Sequence, residues 1–161
     1  MPTHGISRTR GGPNIAKDFF WYISNDKLII QKIAAQDNGL LYIDEAWTHR
    51  GIRIFTKDEI INSLCWLHGK FENNNFPLAN NVKMLGNGTE IDGFGVALYT
   101  LHDNAYFAQG SSYLGVVMEH FGILTFEQAN VITWKFAASY LSCDSMTQRI
   151  NECFELANKA K

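Results

Sequence analysis

Phe76-Pro77-Leu78-Ala79-Asn80-Asn81-Val82-Lys83-Met84-Leu85-Gly86-Asn87-Gly88-Thr89-Glu90-Ile91-Asp92-Gly93-Phe94-Gly95 divides the chain into two unlike halves. Before it the sequence reads as strands with one helix; after it, as helices. Gly86, Gly88, Gly93 and Gly95 fall within ten residues. That is more than a plain turn needs, and it allows positive φ and close approach of the backbone to another group. The stretch is therefore the first place to look for a site.

Upstream, Phe19-Phe20-Trp21-Tyr22-Ile23-Ser24 and Lys27-Leu28-Ile29-Ile30-Gln31-Lys32-Ile33 flank Asn25-Asp26. Both turn residues tolerate the positive φ of a type I′ turn, so a β-hairpin is predicted. A second pair follows in Gly39-Leu40-Leu41-Tyr42-Ile43-Asp44 and Gly51-Ile52-Arg53-Ile54-Phe55. The connections are too short for helical crossovers, which makes the sheet antiparallel. Thr56-Lys57-Asp58-Glu59 is a capping box that opens a helix to about Phe71, with Ile60, Leu64, Leu67 and Phe71 on one stripe. Residues 1–17 carry Arg8, Arg10 and Lys17, no acid, and Gly11-Gly12-Pro13, and read as an irregular basic arm.

Downstream, Pro77 suits the first position of a short helical turn. Val96-Ala97-Leu98-Tyr99-Thr100-Leu101 is too short for periodicity to choose between strand and helix. Tyr106, Gly110, Tyr113, Leu114, Val117 and Phe121 recur at helical spacing up to Gly122, with Gly110-Ser111-Ser112 as a helix start inside the span. Thr125-Phe126-Glu127-Gln128 is a second capping box and predicts a helix carrying Phe126, Ala129, Ile132, Phe136, Ala137 and Tyr140. A last helix begins near Asp144. The fold class expected is α+β: an N-terminal antiparallel sheet with one packed helix, then a C-terminal layer of about three helices, with 18–161 as a single domain.

Composition bounds the function. The chain has 161 residues, 46% hydrophobic and 19% charged, enough for one domain with its own core. Its formal net charge of -2 supplies no overall field toward nucleic acid or membrane, so electrostatic recognition requires a local cluster. Cys65, Cys143 and Cys153 are odd in number and widely spaced, without a C-x-x-C pair. That argues against a disulfide framework and a structural zinc site, and for a reducing cytoplasm. No secretory h-region follows Met1, and no apolar run reaches the ~20 residues of a membrane helix.

Two places offer backbone amides to an anion, residues 86–95 and Gly110-Ser111-Ser112. Neither matches G-x-x-x-x-G-K-S/T or G-x-G-x-x-G, so no cofactor is implied. Near Trp47, His49-Arg50-Gly51-Ile52-Arg53 is the densest basic patch outside the arm, and arginine beside aromatics suits a nucleotide or single-stranded nucleic acid. The leading expectation is a non-catalytic protein that binds a small anionic ligand. Gly86, Gly88, Gly93 and Gly95 give it approach, Thr89 and Ser111 donate hydrogen bonds, and Arg8, Arg10, Arg50 and Arg53 supply charge. One alternative is a hydrolase, using Asp44, Glu45, Glu90 and Asp92 with magnesium, or Cys65 with His68, His102 or His120. The five histidines are too scattered for a zinc enzyme. A helix-turn-helix reading of residues 125–141 has only Lys135 to contact phosphate. The other alternative is a homo-oligomeric interaction module self-associating through Trp134, Phe136 and Tyr140.

Overall fold

The structure is a computed structural model, and it describes residues 4–10, 16–37, 40–43, 52–128, 132–137 and 142–159. The fold is α+β, as the sequence predicts. Strands β1 (His4–Arg8), β2 (Asp18–Ser24), β3 (Lys27–Asp37) and β4 (Leu40–Ile43) pair antiparallel in that order, and β5 (Arg53–Thr56) also pairs with β3. Asn25 has φ 56° in the predicted turn, and Ser24 pairs with Lys27 across it. The basic segment differs from its prediction: His4–Arg8 is a paired edge strand, because Gly5 and Ser7 lie against Trp21 of β2.

Phe19, Trp21, Ile23, Leu28, Ile30 and Phe55 point to one side of this sheet and are buried. Helix α1 (Lys57–Phe71) starts at the predicted capping box, with Thr56 Oγ1 accepting from Glu59 N at 3.1 Å and Glu59 Oε1 accepting from Thr56 N at 2.9 Å. It buries Ile60, Leu64 and Leu67. After β6 (Phe76–Pro77) come four helices, α2 (Val82–Asn87), α3 (Phe94–Tyr99), α4 (Ala105–Gln109) and α5 (Ser111–His120). The last helix, α6 (Cys143–Lys159), packs on α1 and β2 through Met146, Ile150, Cys153, Phe154 and Ala157.

The second capping box does not start a helix. Its residues form β7 (Leu124–Gln128), paired antiparallel with β8 (Ile132–Phe136), and β6 adds to β8 as the third strand. Period-two alternation wins over the cap. Leu124, Trp134 and Phe136 are buried, while Thr125 and Lys135 pair across the other face. Trp134 reaches a slot beside Gly115 of α5, where a Cβ would stand 2.6 Å from the indole ring. The residue 106–121 span is two helices, broken at Gly110, where a Cβ would meet the Phe55 ring at 2.4 Å.

Cys65 and Cys143 are joined in a disulfide, with Cα atoms 5.0 Å apart and a sequence separation of 78. This corrects the reading from cysteine spacing. The pair is created by the packing of α6 on α1, which spacing does not register.

Candidate functional site

The glycine-rich stretch folds back on itself. Asn81 caps α2, its Oδ1 accepting from Met84 N at 3.0 Å, and Gly88 closes the helix in the left-handed region at φ 76°. The Glu90 carboxylate accepts from Asn81 N at 3.0 Å and from Ile91 N at 2.9 Å, tying the two ends of the excursion together. Gly95 N donates to Leu78 O at 2.7 Å. A Cβ on Gly93 would lie 2.6 Å from Pro77 O, and one on Gly95 would lie 2.3 Å from Ala79 O. The close approach read from these glycines is real, and the group approached is the chain's own backbone at residues 77–80. Gly95→Ala is accordingly expected to cost about 1–3 kcal/mol of stability, measured by urea unfolding, because backbone rather than a flexible side chain must move.

This crossing leaves a cleft of about 550 Å³. Its walls are Pro77, Leu78, Ala79, Ile91 and Ile132, with Asn80, Asn81 and Glu90 as the polar members. Ile91 is 62% exposed at its edge, and Val82 and Met84 of the adjoining helix are also exposed.

The other predicted site residues do not converge here. Arg8 is ion-paired to Asp18 at 2.7 Å, a hydrogen bond that holds the Asp18 carboxyl below the usual carboxylate range. Arg10 makes a two-pronged contact with Glu119 and lies 4.2 Å over the Phe126 ring. Arg53 is on β5, across the sheet from β1, with its guanidinium 3.9 Å over Tyr106 and bonded to the Tyr106 carbonyl. Burial pushes its pKa below the ordinary arginine value. Gly86 lies in α2 with open space around it, and Thr89 bonds the Asn87 side chain. Ser111 is fully buried, and its Oγ has no hydrogen-bond partner among the described residues. Arg50, with Trp47 and His49, lies outside the described residues.

The catalytic alternatives find little geometry. Cys65 is spent in the disulfide, and burial raises the pKa of the remaining thiol, Cys153. Among the described residues no three His, Cys, Asp or Glu side chains gather as metal ligands, and Asp44 and Glu45 lie outside them. His102 bonds Glu59, and His68 packs on Phe136. One pair escaped the sequence reading. Ser7 Oγ is 2.8 Å from His120 Nε2, but Ser7 also accepts from Trp21 Nε1 at 3.2 Å. The neighbouring carboxylate, Glu119, is held by Arg10 and Trp134 instead of orienting the imidazole.

The interaction reading also shifts. Trp134 and Phe136 are core residues, with Trp134 at 0% exposure, and Tyr140 lies outside the described residues. No helix among the described residues is long and apolar enough to cross a membrane. Comparison with protein-family models, with curated proteins and with solved structures finds no match to this chain.

Proposed function

We propose that this protein is a non-catalytic binding protein whose ligand occupies the cleft between residues 77–81, Glu90, Ile91 and Ile132. The observation that carries the reading is the Gly93 and Gly95 crossing, which builds an apolar concavity and leaves Ile91 exposed at its edge. Small-molecule sites are typically mostly apolar clefts of about 300–1,000 Å³ with a few orienting polar groups. Here the Asn80 amide can orient a ligand, while Glu90 is occupied in holding the loop.

The ligand class that fits is a small, largely uncharged molecule with an apolar body. An anionic, nucleotide-like or nucleic-acid-like ligand calls for cations, and Arg8, Arg10 and Arg53 are engaged with Asp18, Glu119 and Tyr106 away from the cleft walls. A cytoplasmic setting, proposed from the cysteine spacing, is hard to reconcile with a Cys65–Cys143 bond, which persists best under oxidising conditions.

The test uses N-phenyl-1-naphthylamine, an uncharged apolar fluorescent probe, alongside native mass spectrometry of freshly purified protein. Expected are saturable one-site fluorescence and a loss of probe affinity of at least tenfold in Ile91→Asp, with the thermal midpoint unchanged. Arg10→Ala should leave probe binding intact. Unaltered probe binding in Ile91→Asp overturns the cleft assignment. ATP binding that disappears in Arg10→Ala would instead restore the anionic class.

A further inference from the structure

Ser7, near the end of β1, turns its side chain toward Trp21 of β2 and the C-terminal end of α5. Its Oγ has two side-chain partners, lying 2.8 Å from His120 Nε2 and accepting from Trp21 Nε1 at 3.2 Å. An indole N–H can only donate, and a serine hydroxyl has one proton and two lone pairs. Trp21 therefore takes one lone pair. With the imidazole proton on Nδ1, the hydroxyl proton goes to Nε2, and the second lone pair is left for an electrophile. That is the arrangement of a nucleophile beside its base.

A base must also be held in orientation, and in a triad a carboxylate does this. Glu119 does not serve, being engaged by Arg10 and Trp134. A ring takes its place: the His120 imidazole packs against Trp21 with centroids 5.8 Å apart and 33° between the planes. Trp21 is 1% exposed, and the Phe121 ring meets it edge-on at 5.8 Å. One immobile side chain thus sets both the hydroxyl and the imidazole. Ser7 is half-buried and His120 is exposed, so a small reagent can reach the pair from solvent.

We infer that Ser7 is a site of covalent acylation, a nucleophile activated by His120 that takes the acyl group of an activated ester or thioester. In this step Oγ forms a bond to the acyl carbon as the bond from that carbon to the leaving oxygen or sulfur breaks. The leaving group departs with that electron pair. The hydroxyl proton passes to Nε2, and from there to the leaving group or to water. One acyl group is transferred per chain, and no electron is gained or lost in the exchange. The inference is independent of the cleft and of what binds there.

The probe is p-nitrophenyl acetate, with nitrophenolate release followed by absorbance and the acetylated residue located by peptide mass spectrometry. Expected are a burst approaching one equivalent, the acetyl group on Ser7, and loss of that label when the protein is unfolded in urea before the probe is added. His120→Gln, at an exposed position, should slow Ser7 acetylation at least about a hundredfold, the lower end of what a positioned base supplies, with the thermal midpoint unchanged. Ser7→Ala should abolish the burst. Acetyl groups confined to lysines, the amino terminus or imidazoles overturn the inference. So does Ser7 acetylation at an undiminished rate in His120→Gln, which would make this serine an ordinary surface hydroxyl.

Discussion

Reduction of the Cys65–Cys143 bond is expected to lower the thermal midpoint by up to about 9 to 18 °C. The bond closes a loop whose ends are 78 residues apart and which holds the glycine-rich stretch, helices α2 to α5 and the whole three-stranded sheet. Chain-entropy accounting gives about 4.5 kcal/mol for a loop of this length, as an upper figure, and a domain of this size shifts by about 2–4 °C per kcal/mol. The measurement is a circular-dichroism melt with and without a phosphine reductant. Cys65→Ser, Cys143→Ser and the double variant should each melt near the reduced wild type and ignore the reductant, since the two sulfurs act as one unit. Alkylation of denatured, unreduced protein should modify one thiol per chain, Cys153. Three reactive thiols together with a reductant-insensitive melt would remove the bond from the native state and leave the cytoplasmic reading standing.

What could be read in advance was local. The Asn25-Asp26 hairpin and the Thr56/Glu59 box are each satisfied within four residues and stand as predicted, although in the turn Asn25 alone takes positive φ, where a type I′ turn needs both residues to do so. The Thr125 box has the same pattern, with Gln128 where the first has Glu59, but loses to tertiary packing, because a helix there would pull Trp134 from its slot against Gly115 and leave α5 with an open groove. The arginines mislead for a related reason. Arg8 and Arg10 look like a basic arm only while Asp18 is read as part of the next strand and Glu119 is 109 residues away. Gly93 and Gly95 did announce close backbone contact, but no feature of their own sequence says whether the partner is a ligand or residues 77–80. The disulfide and the pair of Ser7 with His120 are long-range products of the fold, invisible to spacing.

Trp134→Ala is expected to destabilise the protein by about 3–5 kcal/mol, the usual range for emptying a fully buried tryptophan site. Its ring meets Phe94 edge-on with centroids 6.0 Å apart and Phe126 at 6.1 Å, and Gly115 supplies the wall that a side chain would fill. Its Nε1 donates to Glu119 Oε2 at 3.1 Å, so the indole also fixes the carboxylate that Arg10 grips. Removing the ring leaves a cavity at the junction of β8, α3 and α5 and withdraws one donor from a half-buried charge. Trp134→Phe keeps much of the volume and gives up the hydrogen bond, and should cost clearly less, about 1–3 kcal/mol. Urea unfolding followed by circular dichroism gives both values. A core role requires the alanine loss to appear at every protein concentration, because the residue sits within one chain. A loss below about 1 kcal/mol, accompanied by a change in sedimentation, would return Trp134 to the surface role that its aromatic neighbourhood in the sequence invited.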